Sequence, residues 1–207
     1  MYQPPAFKET RQDVLLEAIA QNPLATLVCN TEAGITANHL PMIVNLDGSQ
    51  LHAHLSRGND LVEQCADGVE ALAIFQGPAH YVSAGWYPGK KEHGKEVPTF
   101  NYVVVHAHGK LRFKHDADWK LAHLHALTDK MEYGRAEPWS VSDAPADYLD
   151  RQLKGLYGLA FEVTELVGKW KMSQNRKDTD RAAVVNGLQS DGDAAAMQAA
   201  AIIQSGL

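Results

Sequence analysis

Leu24-Ala25-Thr26-Leu27-Val28-Cys29-Asn30, then Thr31-Glu32-Ala33-Gly34, then Ile35 to Val44: this stretch decides the fold class. Its first part is a β-rich run and its second a turn. The third part reads as another strand, broken or bent near Pro41 because proline brings no N–H to a ladder. Leu46-Asp47-Gly48-Ser49 then reads as a hairpin turn and Leu51 to Leu55 as a third strand. Loops this short can only join antiparallel neighbours, since a parallel return needs a crossover of a dozen residues or more.

Working outward, Thr10 reads as an N-cap with Asp13 at N3. Val14, Leu15, Ala18 and Ile19 follow at helical spacing until Asn22-Pro23 stops the helix. On the other side, Asn59 to Ala66 is a short helix, and Ala71 to Phe75 and Tyr81 to Ser83 are strands. Ala84 to Pro98 is a long plain loop, a feature usually tied to function or mobility. Tyr102 to Phe113 is a long strand. Asp116 caps a helix with Leu121, Leu124, Leu127 and Met131 on one face. A helix at Ala146 to Leu153, strands at Leu159 to Leu166 and Lys169 to Met172, and a helix at Arg181 to Leu188 complete the pattern. Beyond Gln189 the Ala-, Gly- and Gln-rich chain is either a frayed end or a loosely docked helix. About seven short strands without βαβ alternation exclude a doubly wound sheet and predict a mainly β (α+β) fold, a small closed or split barrel with peripheral helices. We expect one domain over residues 1–188 and a tail over 189–207.

Bulk properties narrow the function. With 207 residues, 45% hydrophobic and 21% charged, the chain can bury a sizeable core. Its net charge of -6 gives no electrostatic attraction to nucleic acid or an anionic membrane. Cys29 and Cys65 make no disulfide framework and read as reduced core residues. No apolar run approaches ~18 residues, so no membrane helix is expected. Met1-Tyr2-Gln3-Pro4-Pro5 lacks the basic start and apolar stretch of a signal peptide, which leaves the cytosol as the expected location.

Four stretches carry chemistry. Ser56-Arg57-Gly58-Asn59-Asp60 lies where a strand hands over to a helix. Free backbone N–H groups and the Arg57 fork there would attract a phosphate, unless Asp60 and Glu63 form a plain capping box. Trp86-Tyr87 and Val97-Pro98-Thr99-Phe100-Asn101-Tyr102 offer ring faces with hydroxyl and amide edges. These suit a flat heteroaromatic ligand, or equally a barrel rim or dimer contact. His52/His54 and His106/His108 are i,i+2 pairs that could hold a metal but read better as solvated strand faces, so no metal is expected. Trp170-Lys171-Met172-Ser173-Gln174-Asn175-Arg176 is a dense polar cluster, either part of an anion or flavin site or an exposed strand end. Gly85-Trp86-Tyr87-Pro88-Gly89-Lys90 has the wrong spacing for a phosphate loop, and there is no dinucleotide fingerprint.

Taken in order, these pieces resemble the PaiB family, FMN-binding split-barrel proteins described as negative transcriptional regulators. The likeness runs through Met1-Tyr2 with Pro4 and Phe7, Asn38-His39-Leu40-Pro41, and Ser56-Arg57-Gly58-Asn59. It continues through Ile74-Phe75-Gln76-Gly77-Pro78, Tyr81-Val82-Ser83 and Trp86-Tyr87 to Val97 through Tyr102. His106, Gly109-Lys110, Gln152-Leu153-Lys154-Gly155 and Lys171 to Arg176 complete it. Phe100 stands where the family often shows tryptophan, and Pro88 to Glu96 is longer than usual. The resemblance implies a cytoplasmic homodimer with FMN between subunits. His39, Pro41, Ser56, Arg57 and Asn59 would face the phosphate and ribityl chain, and Thr99, Asn101 and Tyr102 would lie near the isoalloxazine. Lys171, Gln174 and Asn175 would reach in from the partner. It also implies a regulatory role, which the missing DNA-binding helix and the acidic charge make indirect. The alternative is a flavin-dependent oxidoreductase or haem-binding enzyme, whose chemistry would belong to the cofactor.

Overall fold

The computed structural model describes residues 1–45 and 47–206; Leu46, first in the expected hairpin turn, and Leu207, last in the expected tail, lie outside the described residues. The order is β1 (Lys8–Glu9), α1 (Gln12–Gln21), β2 (Leu24–Thr31), β3 (Gly34–Pro41), β4 (Ile43–Val44), β5 (Gln50–Ser56) and α2 (Leu61–Gln64). Then come β6 (Glu70–Val82), α3 (Gly89–His93), β7 (Thr99–Lys114), α4 (Ala117–Glu132), α5 (Ala146–Lys154), β8 (Leu156–Lys171), α6 (Asp178–Asp191) and α7 (Ala194–Ser205). The described strands form one open antiparallel sheet in the order β3-β2-β6-β7-β8-β5-β4, with β1 on β8. The mainly β reading therefore holds, and β2 and β3 pair antiparallel as expected, with a register running from Leu24↔Pro41 to Thr31↔Gly34 and a break after Pro41 before β4.

The long strands differ from the expected pattern. Ala71 to Phe75 and Tyr81 to Ser83 belong to one strand, β6, which runs through Gly77-Pro78. β2 pairs with β6 only over Ala71 to Ile74, so Pro78 needs no ladder N–H on that edge. A Cβ on Gly77 would lie 3.1 Å from Val103, so any larger residue would crowd β7 there. β8 is likewise one strand where two were expected. Leu15 of α1 seats on Gly168, where a Cβ would meet Leu15 Cδ2 at 2.1 Å.

The expected plain loop Ala84 to Pro98 contains a single 3-10 turn, Ala84–Trp86, started by the Ser83 hydroxyl accepting from Gly85 N–H, and then α3, closed by Gly94 at φ 70°. Thr10 does not cap α1. The Glu9 carboxylate accepts the N–H groups of Thr10 and Arg11, each at 2.8 Å, and the helix begins at Gln12. Asp116 does cap α4, accepting from Trp119 N–H. The buried face of α4 is rotated from the expected leucine stripe. Lys120 and His123 are buried, while Leu121, Leu124 and Leu127 are half-buried and Met131 is exposed.

The chain forms two compact units. One comprises residues 22–75 and 107–166, the other residues 1–21, 76–106 and from 167 on. In the first, alternation along β2 and β5 buries Ala25, Leu27, Cys29, Leu51, Ala53 and Leu55 with Leu159 and Phe161. In the second, the core is Leu15, Ile19, Val82, Tyr87, Val103, Val105 and Met172 with Val184 and Leu188 of α6. There α7 buries Ala196, Ala199, Ala200 and Ile203, so residues 194–205 take the docked-helix alternative.

Candidate functional site

The six expected contacts Thr99, Asn101, Tyr102, Lys171, Gln174 and Asn175 all fall in the unit built from the N-terminal end of β7 and the C-terminal end of β8. Lys171 donates to Thr99 Oγ1 and, at 2.6 Å, to the Phe100 carbonyl. The Thr99 and Lys171 groups, which the resemblance assigns to opposite subunits, therefore meet within one chain. Burial, then Lys169, then Arg176 hold the Lys171 pKa below the ordinary lysine value. Asn101 is 1% exposed, and its amide donates to Ser173 Oγ at 3.0 Å. Ser173 is the one described non-glycine residue at positive φ, 64°. A left-handed serine is strained, and the buried Asn101 bond fixes it where β8 turns toward α6. Asn101 thus shapes the turn instead of facing outward. Gln174 is also turned inward, accepting from Met172 N–H and donating to the Trp170 carbonyl, whereas Asn175 is exposed.

Aromatic rings surround this end of β8. Phe100, 57% exposed, packs edge-on against Tyr81 at 5.7 Å. Tyr87 is buried instead, and Arg176 lies 4.4 Å over its ring while pairing with Glu96 at 2.9 Å. Trp86 lies flat against α6, where a Cβ on Gly187 would meet its ring at 2.2 Å. Trp86 and Tyr87 are therefore packing residues. Tyr2 and Tyr102 are the rings beside Lys169, and Phe100, whose carbonyl Lys171 takes, packs on Tyr81. Sequence reading missed Lys169. The Lys-Trp-Lys alternation was its signal, because it places both lysines on one face of the strand.

The other five expected contacts lie in the unit of residues 22–75 and 107–166. The turn after β5 satisfies most of its own donors. Arg57 N–H bonds the Gly155 carbonyl, Gly58 N–H the Ser56 hydroxyl and Asn59 N–H the Ser56 carbonyl. Asn59 accepts from Leu61 N–H, taking the capping role expected of Asp60, and its amide donates to Asn38 Oδ1 at 2.7 Å. The capacity of this turn for an anion therefore resides in side chains and not in a ring of free amides. Arg57 donates to the Lys154 carbonyl and the Tyr157 hydroxyl, lies over the Tyr157 ring, and is itself exposed. On β3, His39 is exposed and shares a bond with Thr26, and Pro41 is exposed at the strand end.

The histidines of β5 are not a solvated face, because α4 covers them. His54 Nδ1 and His123 Nε2 lie 3.0 Å apart, and His52 packs against Trp119. Burial, then His54 and His52, push the His123 pKa down to about 3. Its Nδ1 is buried without a hydrogen-bond partner. Among the described residues no group of three metal-ligating side chains could hold a metal ion. Cys29 and Cys65 are both buried free thiols, and burial followed by the neighbouring Cys65 pushes the Cys29 thiol up to about 12. Among the described residues no helix is long and apolar enough to cross a membrane.

An open antiparallel sheet of this order, with helices at its margins, is the split-barrel architecture of flavin-binding proteins. It superposes on an FAD- and haem-binding protein from Mycobacterium smegmatis with TM-score 0.62 at 22% identity, covering 85% of this chain and 79% of that one. It also superposes on the flavocytochrome Anf3 from Azotobacter vinelandii with TM-score 0.59 at 14% identity, covering 79% and 69%. The chain belongs to the family described as "Putative FMN-binding domain", which matches residues 1–165. It is 31% identical to the Protease synthase and sporulation protein PAI 2 of Bacillus subtilis (strain 168), over 100% of this chain and 98% of that protein.

Proposed function

We propose that the protein binds FMN as a cytoplasmic homodimer and serves as a regulator of the PaiB type without contacting DNA directly. The reading rests on one observation above the family membership: lysines with no carboxylate partner among the described residues stand beside rings at the meeting ends of β7 and β8. Flavin, when bound, supplies hydride and single-electron chemistry that no side chain of this protein provides. Lys171, Thr99 and Tyr102 would orient the ring system. Asn101 would hold the Ser173 turn, and through it Gln174 and Asn175, in place. Arg57, Ser56, His39 and Asn59, with Pro41 closing the strand beside them, would take the phosphate and ribityl chain through side-chain donors. These residues fit the group chemically: one set offers cations and planar faces, the other a guanidinium and hydroxyl.

The visible spectrum of the purified protein, recorded before and after adding FMN, tests the reading. Saturable binding with a perturbed flavin spectrum and a dimer mass in solution are the expected results. A colourless monomer that ignores FMN would refute it. A salt-sensitive, sequence-selective shift of promoter DNA would overturn the indirect regulatory role.

An oxidoreductase is the second reading, and the lysine cluster favours it because positive charge beside a flavin eases its reduction. Oxidation of NAD(P)H in the presence of FMN tests it. Haem has less support, since His54 and His123 direct their facing nitrogens at each other.

A further inference from the structure

Lys169 is 7% exposed, yet among the described residues no carboxylate lies within ion-pair reach of it or of Lys171. Its one described hydrogen bond goes to the Tyr2 carbonyl at 3.0 Å, and its ammonium lies 5.6 Å from the Tyr2 ring centroid and 5.3 Å from that of Tyr102. Ring faces and a carbonyl soften the burial of a cation but do not neutralise it. Lys171 adds a second ammonium on the same strand face. The carboxylates of Glu96 and Asp180 are both taken by Arg176. Burying like charges together without an anion is costly, so the arrangement is stable when something negative shares it.

The planar surroundings define what that anion is. Tyr2, Tyr102 and the Tyr81–Phe100 pair offer flat faces, which suit a delocalised anion of ring shape better than a compact oxyanion. Oxidised flavin is neutral in its ring. On taking up two electrons and one proton it becomes an anionic hydroquinone, with the charge on its pyrimidine edge. We propose that Lys169 and Lys171 together recognise this anionic edge, so that the protein binds two-electron-reduced FMN more tightly than oxidised FMN. The inference rests on the FMN reading above and adds to it a redox-state preference and a residue, Lys169, that acts in it.

The test is the ratio of the dissociation constants of oxidised and reduced FMN for the full chain, obtained from oxidised-state titrations and from the midpoint potential against a reference dye with dithionite as reductant. We expect wild type to hold the reduced form at least tenfold more tightly, which raises the two-electron potential of bound FMN by about 30 mV over the free cofactor. K171M and K169M should each reduce the ratio, and the double variant should return it to unity. Lys171 is half-buried, so K171M keeps the test decisive if K169M fails to fold. A wild-type ratio of one or less, or a ratio unchanged in K171M, overturns the inference while leaving FMN binding intact. Failure of wild type to bind either form refutes the FMN reading and this inference with it. If inorganic phosphate alone raises the melting temperature of wild type but not of the double variant, and the FMN ratio is the same in both, the pair serves a free oxyanion and the inference is wrong.

Discussion

The turn after β5 and the end of β8 carry similar residues, a serine, an asparagine and cations, but use them in opposite ways. In the turn, Ser56, Asn59 and the backbone amides satisfy one another, and Arg57 is exposed with its charge in water. At the end of β8, Asn101 and Ser173 are sealed inside and the lysines hold charge that no carboxylate among the described residues meets. A water-facing cation is cheap to keep and contributes mainly when a ligand arrives. A buried cation shapes the whole site before any ligand arrives. The β7–β8 end is thus a preorganised cluster and the turn an adaptable one.

The largest effect that would break this contrast is at Asn101. Asn101→Ala leaves the buried Ser173 hydroxyl without its partner and should destabilise the fold by about 1–3 kcal/mol. It should also weaken FMN binding, and denaturant melts together with flavin titration would show both. A change below about 0.5 kcal/mol would mean that the pair is not structural.

The next effect contrasts buried lysine with buried histidine. With its pKa held down to about 3, His123 is neutral in the folded state, while unfolded histidine takes up a proton below about 6.5. Stability is therefore full above pH 6.5 and falls as pH drops toward 3, by about 2 kcal/mol at pH 5 from His123 alone. Melts at pH 7 and pH 5 should show this loss, and His123→Gln should shrink the difference between them. An equal loss in both proteins would assign the acid sensitivity elsewhere.

At the exposed turn, Arg57→Ala should weaken FMN about tenfold, the worth of one charge-assisted bond, with stability changed by less than about 0.5 kcal/mol. Ser56→Ala is the mildest test. It removes the acceptor of Gly58 N–H in a solvated place and should alter FMN affinity by only a few-fold, at a cost in stability of about 0.5 kcal/mol. If Ser56→Ala proved worse than Arg57→Ala in the flavin titration, the turn would be a rigid cradle and the contrast would fail.

Sequence alone determined a good part of this protein. Alternation, turn residues and the N-cap at Asp116 are local effects within a few bonds, so the β2–β3 hairpin, α1, α4 and α5 were legible, as was the FMN-binding family from its ordered motifs. Three outcomes were decided only by tertiary structure. β6 and β8 run unbroken through Gly77 and Gly168, where Val103 and Leu15, both distant in sequence, pack close against them. His52 and His54 are covered because α4 turns its His123 face, and not its leucine stripe, inward. Asn101 points into the fold because Ser173, 72 residues on, takes its amide. In each case burial and hydrogen-bond partner depend on which distant segment arrives. Local propensity therefore places the elements, and only the assembled chain sets the charge balance around Lys169.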